Sequence, residues 1–416
     1  MTDTKDVDRD PLEDLDLIAE FEKDMGAHLA DPHAVYDELR KDHPVYAGDL
    51  LTERLGLASS TLKLWEGRPY TILGYEAAEQ VVRDAEHFSN SVYDRTVGRT
   101  HGRTILTMDD PDHRDHRKAI QKAFNRKAMD RWRTDFMIPE VHRVIDGIID
   151  RGRGDVMADF ALHFPVSVIH HILGLPPERL QEMHNLAVGL LLYRTRSDIA
   201  QLCSQKLGEM MIEHVDAHRS SGGGEFISIL ANTRMENGAL FTCEEMVSFL
   251  RILLAAGGET TTRAIGSMFT YLLRQPELLG QVREDRELVQ PVIEETLRLE
   301  PPTQYVYRYC VKDIDVCGTR IPAGSPVAVS LAAANRDPEV FDDPAAFRIG
   351  RKVQHLGFGH GVHMCLGMHL ARMEAATTLN AFLDRMPRLR RDERLPDPVI
   401  RGVAFRSPAT VPIRWD

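Results

Sequence analysis

A single cysteine set among glycines, just ahead of a helical pattern, constrains this chain more than any other stretch. The run is Phe358-Gly359-His360-Gly361-Val362-His363-Met364-Cys365-Leu366-Gly367, and apolar residues recur at helical spacing from Met368 to Leu383. A helix start presents unpaired N–H groups and a partial positive charge. Such a setting lowers a thiol's pKa and favours the thiolate, the form that binds metal. Gly359, Gly361 and Gly367 let the backbone approach a flat ligand and aim N–H donors at the sulfur. One thiolate without a CxxC partner does not make a zinc site. It suits the axial position of a haem iron. The alternative is a buried structural cysteine in a glycine-rich turn.

The other four cysteines, Cys203, Cys243, Cys310 and Cys317, are scattered, and the total of five is odd. That pattern points to a reduced, cytoplasmic protein rather than a disulfide framework. The first sixteen residues are acidic and lack an apolar signal core, so no secretory signal is expected. No run of about 18 apolar residues occurs, so no membrane span is expected. A net charge of −12 disfavours nucleic acid as a partner. With 416 residues, 43% of them apolar, a large core is available.

Along the chain, residues 1–30 read as a polar leader. Helical spacing predicts a short helix over Pro32–Arg40 and another over Tyr75–Asp84, with a β-hairpin between residues 61 and 75. Phe88–Thr107 reads as a long loop. His113–Arg133 reads as a basic helix, with eight Lys or Arg against Asp115 and Asp130. Residues 137–300 read as successive amphipathic helices, broken at Gly152–Gly154, Pro176-Pro177 and Ser220–Gly224. After Pro301-Pro302 come short strands, then the cysteine loop and a last long helix. No internal repeat or domain linker is visible. The expected fold class is mainly α with a small β region, and residues 31–416 form a single domain.

Ala256-Gly257-Gly258-Glu259-Thr260-Thr261 lies inside a helical pattern spanning Cys243 to Leu273. Two mid-helix glycines cost about 1 kcal/mol each relative to alanine. They invite a reason: close approach to a flat cofactor, or a tight helix crossing with threonine hydroxyls bonded back to the helix. In the first case, Glu259 and Thr260 are placed to relay protons. Further along, Glu295-Thr296-Leu297-Arg298 puts an acid and a base on one helix face.

Written F-G-x-G-x-H-x-C-x-G, the cysteine loop resembles the haem loop of the cytochrome P450 family. The A-G-x-[D/E]-T segment and the E-x-x-R pair resemble two further family motifs, in the family's order, and the likeness runs from about residue 30 to the end. It implies a cytochrome P450 fold with haem b held by Phe358, Gly359, His363, Cys365 and Gly367, and by Ala256 and Gly257 on the other face. The iron ligand is Cys365. His113, Arg117, Arg308 and His363 match the positions that bind the haem propionates. The resemblance implies a monooxygenase that activates dioxygen and hydroxylates a small to medium hydrophobic substrate, with Glu259 and Thr260 delivering protons. The implied substrate pocket includes Ile252, Ala255, Gln304, Tyr305, Val306, Ala404 and Phe405. Electrons come from NAD(P)H through a separate ferredoxin and its reductase. The basic helix and Arg372 are the docking patch for that donor. A cytoplasmic monomer follows. The family usually ties its E-x-x-R pair to an arginine before the phenylalanine of P-x-x-F. Here that segment is Pro344-Ala345-Ala346-Phe347, so alanine stands in place of the arginine, and Arg336 is a candidate substitute. A peroxide-using or coupling haem-thiolate enzyme and a haem sensor or carrier are the other readings.

Overall fold

The structure is a computed structural model that describes residues 11–12, 15–219 and 226–416. The expected break at Ser220–Gly224 lies outside the described residues. The fold is organised around the helix Cys243–Leu273, whose bounds coincide with the sequence pattern. Thr242 starts it through a reciprocal cap: its hydroxyl accepts from the Glu245 N–H at 3.1 Å, and its own N–H donates to Glu245 Oε2 at 2.8 Å. Most of this helix is buried, including Arg263 at 2% exposure. The helix Phe164–Ile172 crosses it at Gly257 and Gly258. A Cβ at Gly257 would lie 3.1 Å from Ile169 Cγ1, and one at Gly258 would lie 3.1 Å from Val166 Cγ2. The glycine pair therefore serves a helix crossing.

The small β region is a five-stranded sheet in the order Val45–Tyr46, Tyr70–Ile72, Pro326–Ser330, Tyr305–Cys310, Phe88–Ser89. Tyr70–Ile72 runs parallel to Pro326–Ser330, while Tyr305–Cys310 pairs with the latter antiparallel. Val327 faces Tyr70 on one side and Arg308 on the other, so one row of the sheet joins all three. The hairpin expected at residues 61–75 does not form. Thr61–Leu64 is a 3-10 turn, and all three residues of Tyr70–Ile72 are buried, as suits a strand paired on both edges. Gly67 lies so close to the Gly324 carbonyl that no side chain fits there.

Three other expectations shift. The leader is shorter than residues 1–30, because Leu17–Asp24 is a helix capped by Asp16 with Phe21 fully buried. The Phe88–Thr107 loop contains a short strand and the helix Val97–His101. The basic helix is two helices, Asp112–Gln121 and Arg126–Trp132, the second capped by Asn125, which accepts from the Ala128 N–H at 3.0 Å. The short helices expected near residues 32 and 75 appear as His33–Asp42 and Tyr75–Arg83. Among the described residues, no helix is long and apolar enough to cross a membrane.

Beneath the cysteine loop, Glu295 and Arg298 pair through two hydrogen bonds of 2.8 Å, both side chains almost wholly buried. Arg298 also donates to the carbonyls of Asn335, Pro344 and Ala346. Arg336 does not join this pair. It bonds Glu300 at 2.9 Å and the Leu299 carbonyl, while Arg351 reaches Glu295 instead. Asn335 accepts from the Leu356 N–H at 2.7 Å, which fixes the start of the cysteine loop.

Candidate active site

Cys365 is the exposed cysteine of the five; Cys203 and Cys310 are buried and the others half-buried. Its N–H donates to the Phe358 carbonyl at 2.9 Å, closing the loop ahead of the helix Met368–Arg385. Gly359 and Gly361 adopt left-handed φ of 68° and 72°, a region other residues avoid. A Cβ at Gly361 would sit 2.8 Å from the Val82 carbonyl, so this glycine is needed for packing on the helix Tyr75–Arg83. A Cβ at Gly359 or Gly367 would meet nothing within 4 Å. These two glycines leave space beside the sulfur.

The thiol itself departs from expectation. Although the residue reaches the surface, desolvation by the surrounding protein pushes its thiol pKa up, and the Gly367 N–H, Arg117 and Arg372 only partly oppose that. The helix start alone does not offset this desolvation. A bound metal cation would supply the missing charge.

The four basic side chains expected to bind carboxylates are brought together around this loop. The His113 and His363 rings lie 4.1 Å apart at 42°. Arg117 donates to the Met364 carbonyl at 2.5 Å, and Arg308 donates to the Tyr307 carbonyl at 2.8 Å. Burial lowers the pKa of both arginines. Among the described residues neither forms an ion pair. Burial, followed by His113, Arg308 and Arg117, holds His363 down to about 2, so its ring is neutral. His113 Nε2 is buried without a partner. Two part-buried or buried guanidiniums lacking counter-charges, with an orphaned ring nitrogen between, form a receptor for carboxylates. Haem, with two propionates and an axial sulfur, fits this donor set.

On the central helix, Ala256 is exposed and Ile252 and Thr260 are half-exposed, three positions at four-residue spacing. They form the open stripe of a helix whose other faces are packed. The Thr260 hydroxyl donates to the Ala256 carbonyl at 2.8 Å. Glu259 is turned away from the stripe. Its carboxylate lies 3.3 Å from Arg263 Nη2 and 3.5 Å from His184 Nε2. Burial lowers the His184 pKa, which leaves Arg263 as the charged partner. Sequence reasoning missed both partners, although Arg263 stands at the i+4 spacing where such a pair belongs.

Of the expected substrate-contacting residues, Ile252, Val306 and Phe405 are half-buried and able to line an open space. Ala255 and Ala404 are buried. The Tyr305 hydroxyl donates to the Tyr36 hydroxyl at 2.8 Å inside the core, so it does not face a ligand. Gln304 is fully buried, its amide N–H bonded to the Pro301 carbonyl and its Oε1 unpartnered. In the strand Tyr305–Cys310, Val306 and Tyr309 are the half-buried positions and the others are buried.

Arg114, Lys118, Arg126 and Lys127 are exposed on the two basic helices, as are Lys122 and Arg133 at their C-terminal caps. Lys118 is paired with Glu236 at 2.5 Å. Arg372 is held by Glu294 through two 2.7 Å bonds and lies 4.5 Å over the Phe358 ring. Two clefts open elsewhere, of 790 Å³ beside Phe136 and His171 and of 270 Å³ beside Glu294 and Val353. Neither is lined by Cys365 or Thr260, so the chemistry of the side chains identifies the site and cleft size does not.

The family model described as Cytochrome P450 matches residues 188–401. Cytochrome P450 monooxygenase PikC of Streptomyces venezuelae is 32% identical over 94% of this chain and 94% of that protein. The biotin biosynthesis cytochrome P450 of Bacillus subtilis is 32% identical over 87% of this chain and 90% of its own length. Among solved structures, P450BioI bound to an acyl carrier protein carrying hexadec-9Z-enoic acid superposes with a TM-score of 0.81 at 30% identity. That match covers 93% of this chain and 98% of the other. CYP109E1 from Bacillus megaterium, in complex with testosterone, gives a TM-score of 0.80 at 26% identity, covering 93% of this chain and all of the other.

Proposed function

The chain belongs to the cytochrome P450 family and is a monooxygenase; from that premise we propose that it holds haem b through Cys365 and hydroxylates a small to medium hydrophobic substrate. The observation that carries the reading is Cys365 in a loop whose basic neighbours Arg117 and Arg308 form no ion pair among the described residues. Arg117, Arg308, His113 and His363 hold the two propionates, and Gly359 and Gly367 leave room for the ring edge. Haem, when bound, supplies the activation of dioxygen. The chain's own part is to exclude water, orient the substrate and manage protons. Ile252, Val306 and Phe405 present apolar surface to the substrate. The Thr260 hydroxyl, on the open stripe, would hold a proton donor for the chemistry that bound haem supplies. Glu259, one residue earlier, is the carboxylate that feeds protons toward it when its ion pair loosens.

A hydrophobic substrate is supported by the absence of charged groups at these three lining positions, and by the steroid and the fatty acyl chain named in the two solved relatives. A separate ferredoxin and its reductase, passing electrons from NAD(P)H, are supported by the exposed lysines and arginines of the two basic helices. The scattered, odd-numbered cysteines support a cytoplasmic location. Residues 31–416 make the haem domain, extended at its start by the helix Leu17–Asp24. A peroxide-using enzyme has no need of a proton-holding hydroxyl, so Thr260 favours the oxygenase.

The test is the spectrum of the reduced, CO-bound protein. The wild type shows the strongly red-shifted Soret band of thiolate ligation, and Cys365→Ser, still folded, loses it. Retention of that band in the variant would assign the ligand to another residue.

A further inference from the structure

The carboxylate expected to feed protons is not alone on its arginine. Arg263 is buried, and its Nη2 is shared: Glu22 Oε1 lies at 2.5 Å and Glu259 Oε2 at 3.3 Å. Glu22 comes from the N-terminal helix Leu17–Asp24, 241 positions away in sequence. The rest of the guanidinium is confined. Nη1 donates to the Ser407 hydroxyl at 3.1 Å, and the Phe21 and Phe405 rings flank the group at 5.3 and 5.6 Å. Glu259 has one other partner, the neutral His184. Two carboxylates thus compete for one charged N–H group, and the nearer one is Glu22.

We propose that Glu22 is a positioning residue for proton delivery: by drawing Arg263 toward the N-terminal helix it keeps the Glu259 carboxylate loosely held and free to move. The inference rests on reading Glu259 as a proton carrier. A carboxylate locked to a buried guanidinium is a poor one, since releasing it leaves the arginine without a counter-charge. With Glu22 in place, Arg263 stays neutralised whichever way Glu259 turns. The helix Leu17–Asp24 is then a working part of the active site. Glu22 is 38% exposed at its side chain, so solvent reaches this end of the network while Glu259 stays buried.

The experiment uses the haem-loaded protein in two measurements on Glu22→Gln, Glu259→Gln and the double variant. The first is the denaturant midpoint. Each single variant leaves Arg263 one carboxylate and shifts the midpoint modestly. The double variant strands a buried cation and shifts it by more than the two singles combined. Additive shifts overturn the shared guanidinium. The second is the ratio of product to hydrogen peroxide per NAD(P)H, with the solvent isotope effect on NAD(P)H oxidation. Glu22→Gln lets Arg263 close on Glu259, so the peroxide share rises several-fold and the isotope effect grows, while substrate affinity and haem content hold. A packing role would move the midpoint and leave both readouts alone, which overturns the proposal. Should Glu259→Gln itself leave the peroxide share unchanged, Glu259 carries no proton and the reading beneath the proposal falls. The midpoints would still report whether Arg263 is shared.

Discussion

Arg351 Nε lies 3.0 Å from Glu295 Oε1, on a carboxylate that Arg298 already grips from the same helix. The two arginines also converge on one acceptor, the Ala346 carbonyl, at 3.0 Å from Arg298 and 3.1 Å from Arg351. Alanine at position 346 removes the side chain expected there but keeps the backbone oxygen. The missing cation is supplied five residues later.

Arg351→Ala should therefore destabilise the protein by about 2 kcal/mol, because Glu295 is 3% exposed and loses a charged partner. Arg336→Ala acts on Glu300 and leaves the Glu295 network intact. Denaturant titration of both variants, with haem content measured alongside, separates them. Unchanged stability in Arg351→Ala would mean that Arg298 alone satisfies Glu295.

Gly258→Val tests what the glycine pair is for. Its Cβ would press on Val166, itself buried, so stability should fall by about 2 kcal/mol. Haem affinity of the folded fraction should be unchanged. Lost haem affinity at full stability would restore the cofactor-approach reading.

Thr260→Ala should uncouple the enzyme without unfolding it. The residue is half-exposed and its hydroxyl bonds only back to the helix, so alanine costs nothing and gains a few tenths of a kcal/mol in helix propensity. Haem and substrate binding should persist while reducing equivalents appear as hydrogen peroxide. A preserved ratio of product to NAD(P)H would leave Thr260 with a packing role only.

Reversing Lys122 and Lys127 to Glu should slow electron delivery several-fold at low salt and flatten its salt dependence, with substrate affinity unchanged. Lys118 is the poorer choice, since its reversal also breaks the Glu236 pair. Stopped-flow reduction at several ionic strengths is the measurement. Identical kinetics in wild type and variant would clear the basic helices of any docking role.

Local chemistry was legible from sequence; partners distant along the chain were not. The central helix could be bounded because its apolar spacing and the Thr242–Glu245 cap are local signals. The cysteine loop was legible for the same reason. The strand Tyr70–Ile72 was misjudged because its partner begins at Pro326, and no local pattern reports a parallel pairing. Tyr305 was assigned to the pocket because family position does not say which way a strand residue points; Tyr36, far back in sequence, decides that. Glu259 was singled out from its motif, but its contact with His184 and the hold of Glu22 on the same Arg263 exist only in three dimensions.

The row Tyr70–Val327–Arg308 also sets a timetable. Residues 73–325 separate its two parallel strands, and at roughly 5–20 residues per second a ribosome takes on the order of ten seconds or more to deliver the second. Through that interval the nascent Tyr70–Ile72 segment can pair only with Val45–Tyr46, and its other edge stays bare. Arg308 emerges before Val327 and has no row to sit in until the strand Pro326–Ser330 arrives. The carboxylate receptor is thus among the last features the growing chain acquires, and cofactor capture belongs to the end of synthesis.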